Sequence, residues 1–149
     1  MESIFKTEYK VLPSEEYSHI KFSFVLDKDY SSLVIKTSYS PKYEEDEEKC
    51  LELMRETVKK QAPYLELNDS ELLNNMPLAN HIGWSIDSPS GYIGTKHMHN
   101  ETQVHYISEE SSSSGFFKCK VEKGLWQITA SINSIVTNYI DIVIEVEAE

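Results

Sequence analysis

The sequence predicts a mainly β fold, an antiparallel β-sandwich of jelly-roll or Greek-key type with one inserted amphipathic helix at about residues 44–61. The first observation behind this is a two-residue apolar rhythm near the C-terminus. Trp126, Ile128, Ala130 and Ile132 share one parity against Leu125, Gln127, Thr129, Ser131 and Asn133, and Ile140, Ile142, Ile144 and Val146 repeat it against Asp141, Glu145 and Glu147, with only Val143 breaking the outer face. Successive strand side chains point to opposite faces, so one side of each strand is covered and the other wetted. The second is that the period lengthens only once, between Tyr43 and Gln61. The third is that strands and helices do not alternate as parallel crossovers require, which excludes an α/β fold.

From the N-terminus, Phe5, Thr7, Tyr9 and Val11 alternate with Ile4, Lys6, Glu8 and Lys10, and Pro13 ends the run. Ile20, Phe22, Phe24 and Leu26 alternate with Lys21 and Ser23, and Leu33, Ile35, Thr37 and Tyr39 follow a polar turn, which suggests a hairpin. In the helical segment Cys50, Leu51, Met54 and Val58 line one face. Acidic residues open it and Lys59–Lys60 close it, the order that the helix dipole favours. Asp69–Leu73 has the makings of one more helical turn. Extended structure resumes at Leu78, Asn80, Ile82, Trp84 and Ile86 and turns at Asp87-Ser-Pro-Ser-Gly91. Tyr92–His99, polar and broken by Gly94, reads as an edge or bulged strand. Thr102–Ser108, a serine-rich loop and three final strands beginning at Gly115 complete about nine strands.

A chain of 149 residues, 40% hydrophobic and 11% aromatic, fills one core, and residues 1–149 are expected to form a single domain. Fourteen basic against twenty-five acidic side chains give a net charge of −11, which repels nucleic acid and anionic lipid. The chain shows neither a signal-peptide pattern nor a membrane-length apolar run, so a cytoplasmic location without membrane contact is expected. Cys50 and Cys119 are isolated in sequence and are expected to be structural thiols rather than metal ligands.

Nucleophile elbows, P-loops and dinucleotide fingerprints are missing from the sequence, and no catalytic residue is assigned. The suggestive set is histidine. His97 and His99 share a face if extended, and His105 follows on the next segment. Were the two segments to pair as a hairpin, His97, His99 and His105 would cluster near Glu101 and could hold a divalent metal. The plainer reading is a polar loop with no cofactor. Tyr92, just after the Gly91 turn, is the best candidate for an exposed aromatic, whereas Trp84 and Trp126 lie on apolar parities and belong to the core.

The stretch Asn80-His-Ile-Gly-Trp-Ser-Ile-Asp-Ser-Pro-Ser-Gly-Tyr-Ile-Gly-Thr-Lys-His, with Ile107-Ser-Glu-Glu, Gly115-Phe-Phe and Lys123-Gly-Leu-Trp-Gln-Ile, resembles the β-rich N-terminal domain of CehA/McbA-type metallohydrolases of the PHP phosphoesterase kind. The similarity runs in order over about residues 20–147 and includes Tyr39-Ser-Pro-Lys-Tyr. The matched Asp87, Pro89, Gly91, Gly94, His97, Gly115, Gly124 and Trp126 look like turn and core signatures. Ile93 departs from the pattern, in which a basic residue is common at that point. The resemblance implies an accessory role, since that family's metal-binding residues lie in its PHP domain, outside the matched region. Three functions are therefore expected in order of support. The first is a non-catalytic module binding a small ligand or a partner protein, such as a PHP-type hydrolase, through residues near 88–101. A carbohydrate-binding module is second, and a small metal-dependent hydrolase built on the three histidines is third. A homodimer that covers sheet edges is also expected.

Overall fold

The computed structural model describes residues 1–149. Each amphipathic strand needs a facing layer, and two four-stranded antiparallel sheets supply it for one another. The first sheet has the order β1-β10-β3-β8, formed by Glu2–Val11, Ile140–Ala148, Ser32–Ser40 and Thr102–Ser108. The second has the order β2-β9-β6-β7, formed by His19–Leu26, Gly124–Ser134, His81–Ser88 and Gly91–Lys96. A short ladder joins β4 (Tyr43–Glu44) to β5 (Leu78–Ala79).

The inward parities predicted from sequence meet in one core of 24 buried residues. Trp126, Ile128, Ala130 and Ile132 of β9 face Ile140, Ile142, Ile144 and Val146 of β10 across the sandwich, all nearly or fully inaccessible. Burying each branched side chain contributes about 1.5–3 kcal/mol, which makes this central pair of strands the main source of cohesion. Toward the β1/β2 side the packing is aromatic. Phe24 stacks between Phe5 and Trp126 with centroids 5.9 and 6.3 Å away, and Tyr9 meets Phe22 edge-on at 5.8 Å.

The helical segment lies apart from this core. Helix α1 (Glu47–Gln61) is capped by Asp46, whose carboxylate accepts from the Lys49 amide at 3.1 Å. Helix α2 (Asp69–Leu73) is the extra turn expected from sequence, opened by a capping box between Asn68 and Glu71. Cys50, Leu51 and Met54 of α1 bury themselves against Leu72 of α2 in a separate small cluster.

Two expectations of pairing are corrected. The strands at 20–26 and 33–39 are not a hairpin, because β2 and β3 lie in different sheets. The chain crosses between layers after most strands, and β6–β7 is the hairpin that does form. Likewise the predicted strand beginning at Gly115 is an irregular extended segment held by single bridges from Phe116 to Gly94 and from Val121 to Tyr30. It lies along both β7 and β8: the Phe117 amide donates to the Ile93 carbonyl and that of Cys119 to the Ser108 carbonyl. Gly94 is obligatory at this crossing, with φ of +146° and a backbone so close that a Cβ would stand 2.1 Å from the Gly115 carbonyl oxygen. The bulge expected here lies in β7 itself: Ile86 pairs with Gly94 and Asp87 with Tyr92, which leaves Ile93 as the extra residue, and β7 is also an edge strand.

Candidate functional site

Because β7 belongs to the second sheet and β8 to the first, residues 97–101 bridge the two layers instead of forming a hairpin tip. That geometry separates the predicted histidine set. His105 shares the inward parity of Gln103 and Ile107 and is fully buried, its ring edge-on to Phe116 at 5.1 Å. His97 and His99 remain exposed on the loop. The three imidazoles therefore do not converge, and nowhere in the chain do three His, Cys, Asp or Glu side chains stand close enough to share a metal ion. Glu101 is exposed, and its contribution is its carbonyl, which accepts from the Tyr39 amide at 3.0 Å.

The loop histidines gather instead with His81, a residue the sequence reading passed over. The His81 and His99 rings stack with centroids 4.4 Å apart and an interplanar angle of 27°. His81 Nε2 is 3.2 Å from the His97 carbonyl, which can only accept, so Nε2 carries the proton. Nδ1 is then the acceptor for the Asn133 amide at 3.3 Å. Partial burial, followed by the neighbouring charge of His99, lowers the His81 pKa and favours this neutral form. Gly83 makes the arrangement possible: a Cβ there would stand 2.7 Å from His97 Nδ1 and 3.2 Å from Asn133 Nδ2. The period-two rule could have flagged the pair, because His81 and Gly83 fall on the wetted parity of β6.

This group sits at one end of a hydroxyl-rich outer face. Register places Ser85 between Thr95 and Thr129, Thr129 against Lys21, and Ser131 between Gly83 and His19. Ser85 and Thr95 share a hydrogen bond of 3.0 Å, and Ser131 meets His19 Nδ1 at 2.9 Å. At the opposite end Tyr92 is 58% exposed, as expected, with its hydroxyl bonded to Thr95. Leu125 and Val25, paired across β9 and β2, are exposed there too.

Beneath the loop lies a set of polar atoms without partners. Trp84 Nε1, Thr37 Oγ1, Gln103 Oε1 and both nitrogens of His105 are buried and bond to no protein atom. Thr37 stands directly opposite Gln103 in the β3–β8 ladder. Gln103 also fastens the loop from inside, its amide nitrogen donating to the carbonyls of Asn100 at 2.9 Å and Met98 at 3.3 Å. Burial, and to a lesser degree the charge of Lys96, pushes the His105 pKa down to about 4, so its imidazole is neutral at pH 7. Cys119 is half-buried against the core, and burial raises its thiol pKa, which favours the unreactive protonated form. Cys50, on the covered face of α1, is fully buried.

Other concave features lie elsewhere, including a cleft of ≈ 280 Å³ beside α1 lined by Val58, Leu65, Leu67 and Leu72. No helix is long and apolar enough to cross a membrane.

No protein-family model matches the chain. No curated protein matches it either. Among solved structures, a crystallised protein from Sulfurospirillum deleyianum is similar at a TM-score of 0.35 and 8% identity, with 97% of this chain and 99% of that one covered.

Proposed function

We propose that this chain is a non-catalytic sandwich module that binds a small, neutral, polyhydroxylated ligand, of the carbohydrate class, on the outer face of its second sheet. The observation that carries this reading is the seating of His97 in the notch left by Gly83, beside the neutral His81–Asn133 pair. Such a group offers fixed donors and acceptors without a cluster of charge, which suits hydroxyls better than phosphates or metal ions. The half-buried Ser85 and Thr95 extend the hydrogen-bonding surface along the strands, and the exposed ring of Tyr92 supplies an apolar platform at the far end. The resemblance to a hydrolase accessory domain supports the same non-catalytic role, with a PHP-type hydrolase as the partner that such a module would serve.

A glycan array followed by NMR titration of the array's best oligosaccharide tests the proposal. The expected result is a binder that perturbs the side-chain signals of His81, His97 and Asn133, and whose binding weakens about tenfold or more in Tyr92→Ala, as loss of a stacking aromatic would cause. An array with no binder, or one whose ligand perturbs only the α1 cleft, would refute it.

A further inference from the structure

The two sides of the sandwich are closed differently. On one side the 112–119 segment lies along the edges of β7 and β8. On the other, β1 is an edge strand from Glu2 to Val11 whose outer backbone groups bond to no other segment. Such an edge is a template for another strand. It also exposes part of the aromatic row, since Tyr9 stays 36% accessible and Phe5 is half-buried.

We propose that β1 is a self-association surface, on which two copies of this chain pair antiparallel about a two-fold axis passing through Thr7. The charges select that register. Pairing must set outward residues opposite outward ones, so the axis passes through a residue rather than between two. Centred on Thr7, Lys6 of each copy faces Glu8 of the other, and Phe5 of each faces Tyr9, over the regular stretch from Phe5 to Tyr9, which ends short of the β1 bulge between Ser3 and Phe5. Centred on Lys6 or Glu8, like charges meet. Centred on Tyr9, opposite charges meet but the paired length runs into the 3-10 turn at Pro13–Glu15. Within one chain Lys6 reaches Glu145 at 3.1 Å and Lys10 reaches Asp141 at 3.9 Å, while Glu8 enters no ion pair and is free to receive a partner's lysine. The same charges that deter indiscriminate edge pairing are thus complementary in one symmetric arrangement.

Sedimentation and light scattering from about 1 to about 200 µM, the range over which mass action would reveal a moderate dimer, test the proposal. The wild-type chain is expected to dimerise. Lys6→Glu and Glu8→Lys each turn two attractive cross-strand pairs into repulsive ones and should weaken the dimer about tenfold or more, while the double variant restores complementarity and most of the affinity. Thr7→Cys should form an intermolecular disulfide under mild oxidation, and Lys21→Cys, on an exposed position of the second sheet, should not. A wild-type monomer throughout the range, a dimer indifferent to the charge reversals, or equal cross-linking at both positions would overturn the proposal.

Discussion

The imidazole of His105 lies edge-on to Phe116, with 5.1 Å between centroids, and neither of its nitrogens is bonded to another protein atom. A neutral ring can be held there, but a charged one has no counter-ion, and Lys96 adds to the cost.

The consequence is a pH dependence with a definite sign. The folded pKa of about 4 lies below the unfolded value of 6.5, so the unfolded chain binds the proton first. The contribution is complete above about pH 6.5 and is lost progressively as pH falls toward 4, with a magnitude on the order of 3 kcal/mol. His105→Phe removes the titrating group and the two unpartnered nitrogens together. Urea denaturation at a series of pH values should show the variant gaining on the wild type below pH 6.5; parallel curves would contradict this.

Gly83 and Gly94 should respond very differently to alanine. At Gly83 the new methyl meets the ring of His97, an exposed side chain that can swing aside. Stability should fall by less than about 1 kcal/mol, while ligand binding at this notch is lost. At Gly94 the methyl meets backbone at 2.1 Å under a positive φ, and the loss should exceed about 3 kcal/mol or prevent folding. Thermal denaturation of the two variants checks the contrast.

Gln103 holds the 97–101 loop through two carbonyls, and Gln103→Leu should release it. Loss of those bonds should cost about 1–3 kcal/mol and raise amide exchange at residues 97–101 above that of β9. Equal exchange in wild type and variant would show that the loop is held by other contacts.

Helix α1 should open independently of the sandwich, because its apolar face packs against α2 in a separate cluster. Asp46→Ala removes its cap and should lower helix stability by about 1 kcal/mol, read as faster exchange in Glu47–Gln61 with little change in the strands.

Much of the fold was legible because period two is a local property. The parities of β2, β3, β6, β9 and β10 follow directly from their residues, as do the amphipathic face of α1 and the turn at Asp87–Gly91. Partnering was not. The apparent hairpin from Ile20 to Tyr39 has the right spacing, yet its strands went to opposite sheets, since sequence separation says nothing about which apolar face a strand will cover. The segment after Gly115 alternates like a strand but is held mainly by isolated bridges along two sheet edges. At the candidate site, the turn at Gly91 accounts for the exposure of Tyr92, whereas the close spacing of His97, His99 and His105 suggests a hairpin that β7 and β8, in different sheets, do not form.

By itself, then, the sequence determined the alternation of covered and wetted side chains, the place of the helix and the absence of any recognisable nucleophile motif, because each of these is set by neighbours along the chain. Tertiary structure alone decided that His105 turns inward while His81 meets His97 and His99 over Gly83. That outcome depends on β7 and β8 joining different sheets, and the choice is made by the packing of two layers rather than by any stretch of residues.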